Sequence, residues 1–104
     1  MSRVEAQKIV AKYAQKLRDE KFPFFAVYLF GSYVKGNPKE ESDIDVAVLS
    51  DKLKKDWNKN EELLWKWSVA VDPRIEPIGL TPRDFNDDAD PMVLEIKKSR
   101  IRIK

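Results

Sequence analysis

Two aspartates separated by a single residue are the feature of this sequence best suited to chemistry. Asp43 and Asp45 lie in the segment 43–49, whose apolar residues predict a strand, so both side chains point to one face with Cα atoms about 6–7 Å apart. Like charges this close raise each other's pKa unless a cation neutralises them. Magnesium fits best because it takes oxygen ligands and keeps positions for substrate phosphates. The pair therefore predicts a metal site, with two Mg²⁺ ions expected.

A glycine–serine step indicates where a phosphate would lie. Gly31 and Ser32 directly follow the apolar run 24–30. Gly31 allows a sharp turn and a close approach of the backbone to a ligand. Ser32 offers a hydroxyl and an N–H at the start of a short helix, where an anion is favoured. Lys35 adds a positive charge near the phosphates, and Gly36 permits the turn toward the second strand.

A third carboxylate is usually needed to complete such a site or to activate a nucleophile. The third predicted strand supplies Glu76, and Asp72 lies just before it. Glu76 shares its strand face with Ile78 and Leu80, where a carboxylate is unexpected unless it has a function. We expect Glu76 to take this place, and Asp72 is the alternative.

Composition excludes several other chemistries. The 104 residues contain no cysteine and no histidine, which removes thiol nucleophiles, histidine triads and Cys or His metal sites. Twenty basic and eighteen acidic residues nearly cancel, so nucleic acid is not the expected partner. No apolar stretch is long enough for a membrane helix, and the start of the chain lacks the apolar segment of a secretory signal. A cytoplasmic location without membrane attachment is expected.

The hydrophobic pattern predicts elements that alternate between helix and strand. A capping pattern, Ser2 followed by Glu5, starts a helix over 3–20, and Pro77 places its own strand at an edge. The expected elements are a helix at 3–20, a strand at 24–30, a turn or short helix at 31–36, strands at 43–49 and 74–80, a helix at 53–70, helix starts at Thr81 and Asp90, and a fourth strand within 99–104. This order predicts one α/β (α+β) domain over 1–104, with a mixed sheet of three to four strands flanked by helices.

Three tryptophans fall in the predicted helix 53–70. Core packing is the expected role of Trp57, Trp65 and Trp67, rather than stacking on nucleic-acid bases. The helix has more apolar residues than one buried face requires, which predicts a second contact within the fold or with a partner.

The motif Gly31-Ser32, Gly36 and Ser42-Asp43-Ile44-Asp45 resembles the signature of the DNA polymerase beta-type nucleotidyltransferase superfamily. The length of the chain points to the minimal nucleotidyltransferases, many of which act with a helical HEPN-class partner as a toxin–antitoxin pair. The resemblance implies that Asp43 and Asp45 bind metal and that Gly31 and Ser32 bind the triphosphate. Lys35, Gly36 and Ser42 are expected to complete the nucleotide site. Glu76 is expected to be the third catalytic and metal-binding acid, although this family often has aspartate there.

The resemblance also implies a reaction. A nucleoside monophosphate, AMP from ATP, would pass to a hydroxyl acceptor on a HEPN-class partner protein, and the chain would act as the antitoxin. A chain of this length leaves no room for a separate acceptor domain. Two alternatives remain: an antitoxin that neutralises its partner by contact with a vestigial site, and an antibiotic-type adenylyltransferase. Homo-oligomerisation is also left open.

Overall fold

The computed structural model describes residues 1–36 and 43–104, and its strands form one mixed sheet. The spatial order is β3–β2–β1–β4, with β1 antiparallel to β2 and β4, and β2 parallel to β3. The strands are β1 (Ala26–Phe30), β2 (Ile44–Leu49), β3 (Ile75–Leu80) and β4 (Arg100–Arg102). The predicted α+β class, with a mixed sheet of three to four strands flanked by helices, is confirmed.

Helices pack on both faces of this sheet. They are α1 (Arg3–Asp19), α2 (Ser32–Lys35), α3 (Trp57–Val71), α4 (Pro82–Phe85) and α5 (Pro91–Lys98). The predicted starts at Thr81 and Asp90 are confirmed, since the side chain of each residue caps the helix that follows it. No helix in the described part of the chain is both long and apolar enough to cross a bilayer.

Helix α1 begins and ends close to where the sequence predicts. The Ser2 hydroxyl accepts a hydrogen bond from the Glu5 backbone N–H at 3.1 Å, which satisfies a donor that the first turn leaves free. The helix ends at Asp19, and Lys21 takes the left-handed conformation with φ 58°. That turn redirects the chain toward β1.

The predicted helix over 53–70 was wrong at its start. The structure has a 3₁₀ turn at Asp51–Lys54, followed by a separate helix that begins at Trp57. Two side chains cause the break, since Ser50 accepts from Lys52 N–H at 3.1 Å and Asp56 accepts from Lys59 N–H at 3.2 Å. Each cap starts its own helical segment.

The two sheet faces bury different sets of residues. One face packs on α1 and α3, and the other packs mainly on α5. The first face contributes Val27, Leu29, Ile44, Val46, Val48 and Ile75, while the second contributes Ala26, Tyr28, Phe30, Ala47 and Leu80. Burying each large aliphatic side chain stabilises the fold by about 1.5–3 kcal/mol. Strand side chains alternate between faces, so the odd-numbered positions of β2 lie on the α5 face.

Strand β3 is an edge strand, as Pro77 predicts. Pro77 has no N–H to donate. The backbone N–H groups of Ile75 and Gly79, which lie along the same open edge, are hydrogen-bonded within the chain. Ile75 N–H donates to Asp72 O at 3.1 Å, and Gly79 N–H donates to Glu61 Oε1 at 3.4 Å. The edge is therefore protected against pairing with another strand.

The tryptophans of α3 divide between core and surface. Trp67 is buried and meets Phe22 edge to face at 5.7 Å between ring centroids. Trp57 and Trp65 are 41% and 42% exposed, so the prediction of core packing was wrong for these two. One helix face cannot turn every apolar residue toward a single core.

Candidate active site

The acidic site forms where β2 and β3 lie side by side. Asp45 and Glu76 are directly paired in the parallel register. Adjacent strands are about 4.8 Å apart, and paired residues project to the same face. The structure therefore brings together two carboxylates that are far apart in the sequence.

Asp43 joins the pair from the residue just before β2. It is exposed, and its carboxylate is close enough to act on the ionisation of Glu76. Desolvation and the charges of Asp43 and Asp45 together raise the pKa of Glu76. Negative charge is therefore concentrated at this end of the sheet.

Asp45 is half-buried, and its surroundings oppose its ionisation. Burial raises the pKa of the Asp45 carboxyl, and the charges of Asp43 and Glu95 raise it further. The ammonium of Lys35 lowers it and partly offsets these effects. A positively charged ligand would relieve the repulsion.

Gly31 holds the backbone against Asp45. A Cβ placed on Gly31 would lie 2.2 Å from Asp45 Oδ2, closer than any real side chain permits. The residue has φ 80° and ψ −147°, a conformation that is essentially restricted to glycine. The glycine of the motif therefore lets the strand-to-helix turn touch the acidic site.

Helix α2 continues from this turn. Ser32 is its first residue and is half-buried, and its carbonyl accepts from Gly36 N–H at 3.1 Å. Gly36 ends the helix in the left-handed conformation with φ 86°. Both glycines thus take backbone angles that the sequence predicted for turns.

Arg3 anchors α2 from the start of α1, a contact that the sequence did not reveal. Its guanidinium donates to Tyr33 O at 3.0 Å and to Val34 O at 2.7 Å. These carbonyls lie in α2, and a cation beside the last turn of a helix is favourable. Arg3 therefore holds α2 at Tyr33 and Val34, while Gly31 at the start of the turn lies against Asp45.

Lys35 faces an acidic residue that the sequence analysis missed. Its Nζ forms an ion pair with Glu95 of α5. This pair lowers the pKa of Glu95, through the hydrogen bond first and the charge of Lys35 second. The two residues are 60 positions apart in the sequence, so no local pattern could indicate the contact.

Asp72, the alternative third acid, is engaged in a separate ion pair. Both carboxylate oxygens of Asp72 accept from the Arg74 guanidinium, at 3.0 and 2.7 Å, and this pairing lowers the pKa of Asp72. These bonds tie Asp72 to Arg74, and neither of them reaches Asp43, Asp45 or Glu76. Ser42 lies outside the described residues.

The donor set suits a hard divalent cation because it consists of carboxylate oxygens whose mutual repulsion a cation would relieve. Asp43, Asp45 and Glu76 interact electrostatically. Within residues 1–36 and 43–104, however, no three acidic side chains converge tightly enough to form a complete metal-binding group. The residues present fit a metal that is bound jointly with a phosphate ligand.

The arrangement combines an acidic cluster with a glycine–serine turn at the same sheet end. Anionic phosphates could approach these carboxylates only with a cation between the two. The turn, in contrast, presents backbone N–H groups and the Ser32 hydroxyl, which can donate hydrogen bonds to phosphate oxygens. Such a site is chemically suited to phosphoryl or nucleotidyl transfer.

Residues 11–103 match the sequence profile of the family described as "Polymerase beta, Nucleotidyltransferase". No curated protein matches the chain. The match includes β1, the glycine–serine turn, both aspartates and Glu76.

The solved structures that are similar to the chain include the following three. A toxin–antitoxin determined with AMP-PNP has a TM-score of 0.61 and 23% identity, covering 90% of this chain and 72% of its own. A mutant of the toxin–antitoxin MntA-HpeT has a TM-score of 0.61 and 24% identity, covering 89% and 70%. A protein described as a nucleotidyltransferase from Sulfolobus solfataricus has a TM-score of 0.60 and 23% identity, covering 98% and 86%. At these identities the similarity shows a shared fold.

Proposed function

The chain belongs to the polymerase beta nucleotidyltransferase family, and from this premise we propose that it transfers AMP from ATP to a hydroxyl acceptor. The observation that carries the proposal is the pairing of Asp45 with Glu76, beside Asp43 and against Gly31. It provides acids and a phosphate-facing turn within one small area.

The proposed reaction is displacement at the α-phosphorus. An acceptor oxygen forms a bond to the α-phosphorus, and the bond from that phosphorus to the oxygen bridging to the β-phosphate breaks. Pyrophosphate leaves with the electron pair of that bond, and the acceptor proton passes to a carboxylate. Glu76 is suited to take it because it is a carboxylate that lies directly beside Asp45 on the neighbouring strand.

Asp43, Asp45 and Glu76 would hold Mg²⁺, which when bound neutralises phosphate charge and the developing charge of the leaving group. Two ions are part of this proposal. Asp45 occupies the centre of the cluster, since it contacts Gly31 and pairs with Glu76.

The triphosphate would lie along the turn from Gly31. The Ser32 hydroxyl and the backbone N–H groups of this turn would bind phosphate oxygens. Lys35 would contribute charge after exchanging Glu95 for a phosphate, which is the stronger anion.

We propose that the acceptor is a hydroxyl on a helical, HEPN-class toxin and that AMP transfer makes this chain the antitoxin. Two of the similar structures are toxin–antitoxin complexes, and one of them was determined with AMP-PNP. Those descriptions concern the other proteins, and they support the choice of partner and nucleotide.

The test is incubation of the full chain with α-labelled ATP, Mg²⁺ and a candidate HEPN-class toxin. Label should appear on the toxin and should disappear with the double variant Asp43→Asn, Asp45→Asn. The Asp72→Asn variant is a matched control because that carboxylate is tied to Arg74. Label transfer that survives the double variant would refute the mechanism.

Neutralisation of the toxin by contact is the second candidate. The observation in its favour is that the described acids do not form a complete three-residue metal group. This candidate predicts that the double Asp→Asn variant still protects cells from the toxin. The catalytic proposal predicts that protection is lost.

A further inference from the structure

The outer side of α3 carries an open groove that the proposed reaction does not use. Its volume is about 780 Å³, and it is lined by Asn58, Glu61, Glu62, Trp65, Lys66 and Val69. The opposite side of the same helix is already packed, with Leu64 and Trp67 in the core. The groove therefore lies on a helix face that the described fold leaves uncovered.

Apolar side chains are prominent on this face. Trp65 is 42% exposed and Val69 is 56% exposed, one helical turn apart. A large aromatic exposed beside an aliphatic side chain is typical of the centre of an interface. Trp65 can also contribute its indole N–H at a partly wet surface.

The charges beside Trp65 have a definite order. Glu62 precedes the tryptophan and Lys66 follows it. Their spacing of four residues permits an ion pair within the helix, but neither forms one with any residue in the part of the chain that the structure describes. Both charges thus remain available to a partner.

This order selects the partner's orientation. A second α3 running antiparallel brings Lys66 of each helix near Glu62 of the other, whereas a parallel copy would place like charges opposite each other. The lining residues are also symmetric about the point midway between positions 63 and 64. The corresponding pairs are Glu62 with Trp65, Glu61 with Lys66 and Asn58 with Val69.

We propose that the groove binds a second copy of this chain, with the two α3 helices antiparallel across a two-fold axis. Trp65 of each copy packs into the groove of the other, and Lys66 of each faces Glu62 of the other. A helix of fifteen residues is about 22 Å long, which allows contact over several turns. A self-complementary patch of this kind is what a two-fold dimer requires.

The dimer and the proposed activity can be tested independently. The acidic site lies on the α5 face of the sheet, whereas α3 packs on the opposite face. Variants of the groove should leave magnesium-dependent nucleotide binding unchanged. Failure of one proposal therefore leaves the other standing.

The experiment is sedimentation equilibrium of the full chain from about 1 to about 200 µM, where a weak dimer becomes visible by mass action. The wild type should form a dimer. Trp65→Ser and Lys66→Glu should each weaken it by at least about tenfold. Lys8→Glu, the same charge change at an exposed position of α1, should leave it intact.

Charge exchange makes the test specific for the antiparallel pairing. The double variant Glu62→Lys, Lys66→Glu should dimerise again, and the two single variants should pair with each other when mixed. A wild type that stays monomeric throughout the range would overturn the proposal. So would a dimer indifferent to Trp65→Ser and Lys66→Glu, or a groove that is covered only when a toxin is added.

Discussion

Asp45 Oδ2 lies 2.2 Å from the position that a Cβ on Gly31 would take, so the two residues can coexist only while residue 31 has no side chain. The contact joins the end of β1 to the start of β2, and Phe30 is paired with Asp45 across these strands. The phosphate-facing turn and the central acid of the proposed site are thus one packed unit.

Gly31→Ala should abolish nucleotide binding and destabilise the fold. The new methyl would displace Asp45, and the backbone would keep a conformation that alanine rarely adopts. We expect a loss of more than about 2 kcal/mol in the free energy of unfolding. Urea denaturation and calorimetric titration with ATP and Mg²⁺ would measure the two effects.

Gly36→Ala is the matched control for that variant. Gly36 also has a positive φ, but a Cβ there would meet nothing within 4 Å among the described residues. A loss of about 1 kcal/mol in the free energy of unfolding is expected, with nucleotide binding reduced much less than in Gly31→Ala. Equal losses of binding in both variants would show that the contact with Asp45 has no special importance.

Replacing the acids one at a time by their amides should show whether Glu76 or Asp72 is the third acid of the site. Asp43→Asn, Asp45→Asn and Glu76→Gln should each lower the transfer rate by at least about a hundredfold. Asp72→Asn should stay within about twofold, because this carboxylate is engaged with Arg74. Steady-state kinetics with labelled ATP would measure these rates, and a slow Asp72→Asn beside a normal Glu76→Gln would reverse the assignment.

The ion pair between Lys35 and Glu95 should compete with phosphate binding. Lys35→Ala should weaken ATP binding by about tenfold, because a charged contact to phosphate is lost. Glu95→Gln should tighten it by about two- to fivefold, since the ammonium is then free. Calorimetric titration measures both. Asp88→Asn breaks the other ion pair of this region and should change nothing, and weaker binding in Glu95→Gln would contradict the exchange.

Glu61 should make the protein less stable as the pH rises. Burial raises the pKa of this carboxyl, and the hydrogen bond from Gly79 N–H only partly offsets that effect. The folded-state pKa is above the unfolded value, so ionisation opposes folding, and stability increases as the pH falls through the folded-state pKa. The Tm of the wild type relative to Glu61→Gln should therefore rise on acidification from pH 7 toward about pH 4.

The comparison with Glu61→Gln contains its own control, because the two proteins differ in this one titratable group. A constant difference in Tm between the wild type and Glu61→Gln would mean that the Glu61 carboxyl titrates alike in the folded and unfolded chains.

Local patterns predicted the strands, the capped helices and the family resemblance, which the family match confirms. These features depend on neighbouring residues: Ser2 caps its own helix, and Asp43 and Asp45 share a strand. The pairing of Asp45 with Glu76 could be predicted in part, because Glu76 lies on the predicted strand that follows the strand of Asp45 in the sequence.

Contacts between distant segments could not be predicted. Arg3 holds α2 across 30 residues, and Glu95 reaches Lys35 across 60, so neither has a signal in the local sequence. The prediction that Trp57 and Trp65 pack in the core was wrong for another reason. Hydrophobicity identifies apolar residues but does not tell which side of a crowded helix like α3 faces the core.

Calorimetric titration with Mg²⁺ and a non-hydrolysable ATP analogue tests the central claim most directly, because it needs no acceptor. The wild type should bind the analogue with Mg²⁺ and only weakly in EDTA, and Asp45→Asn should remove the magnesium-dependent part. Binding that is equally strong without Mg²⁺, or unchanged in Asp45→Asn, would contradict the account.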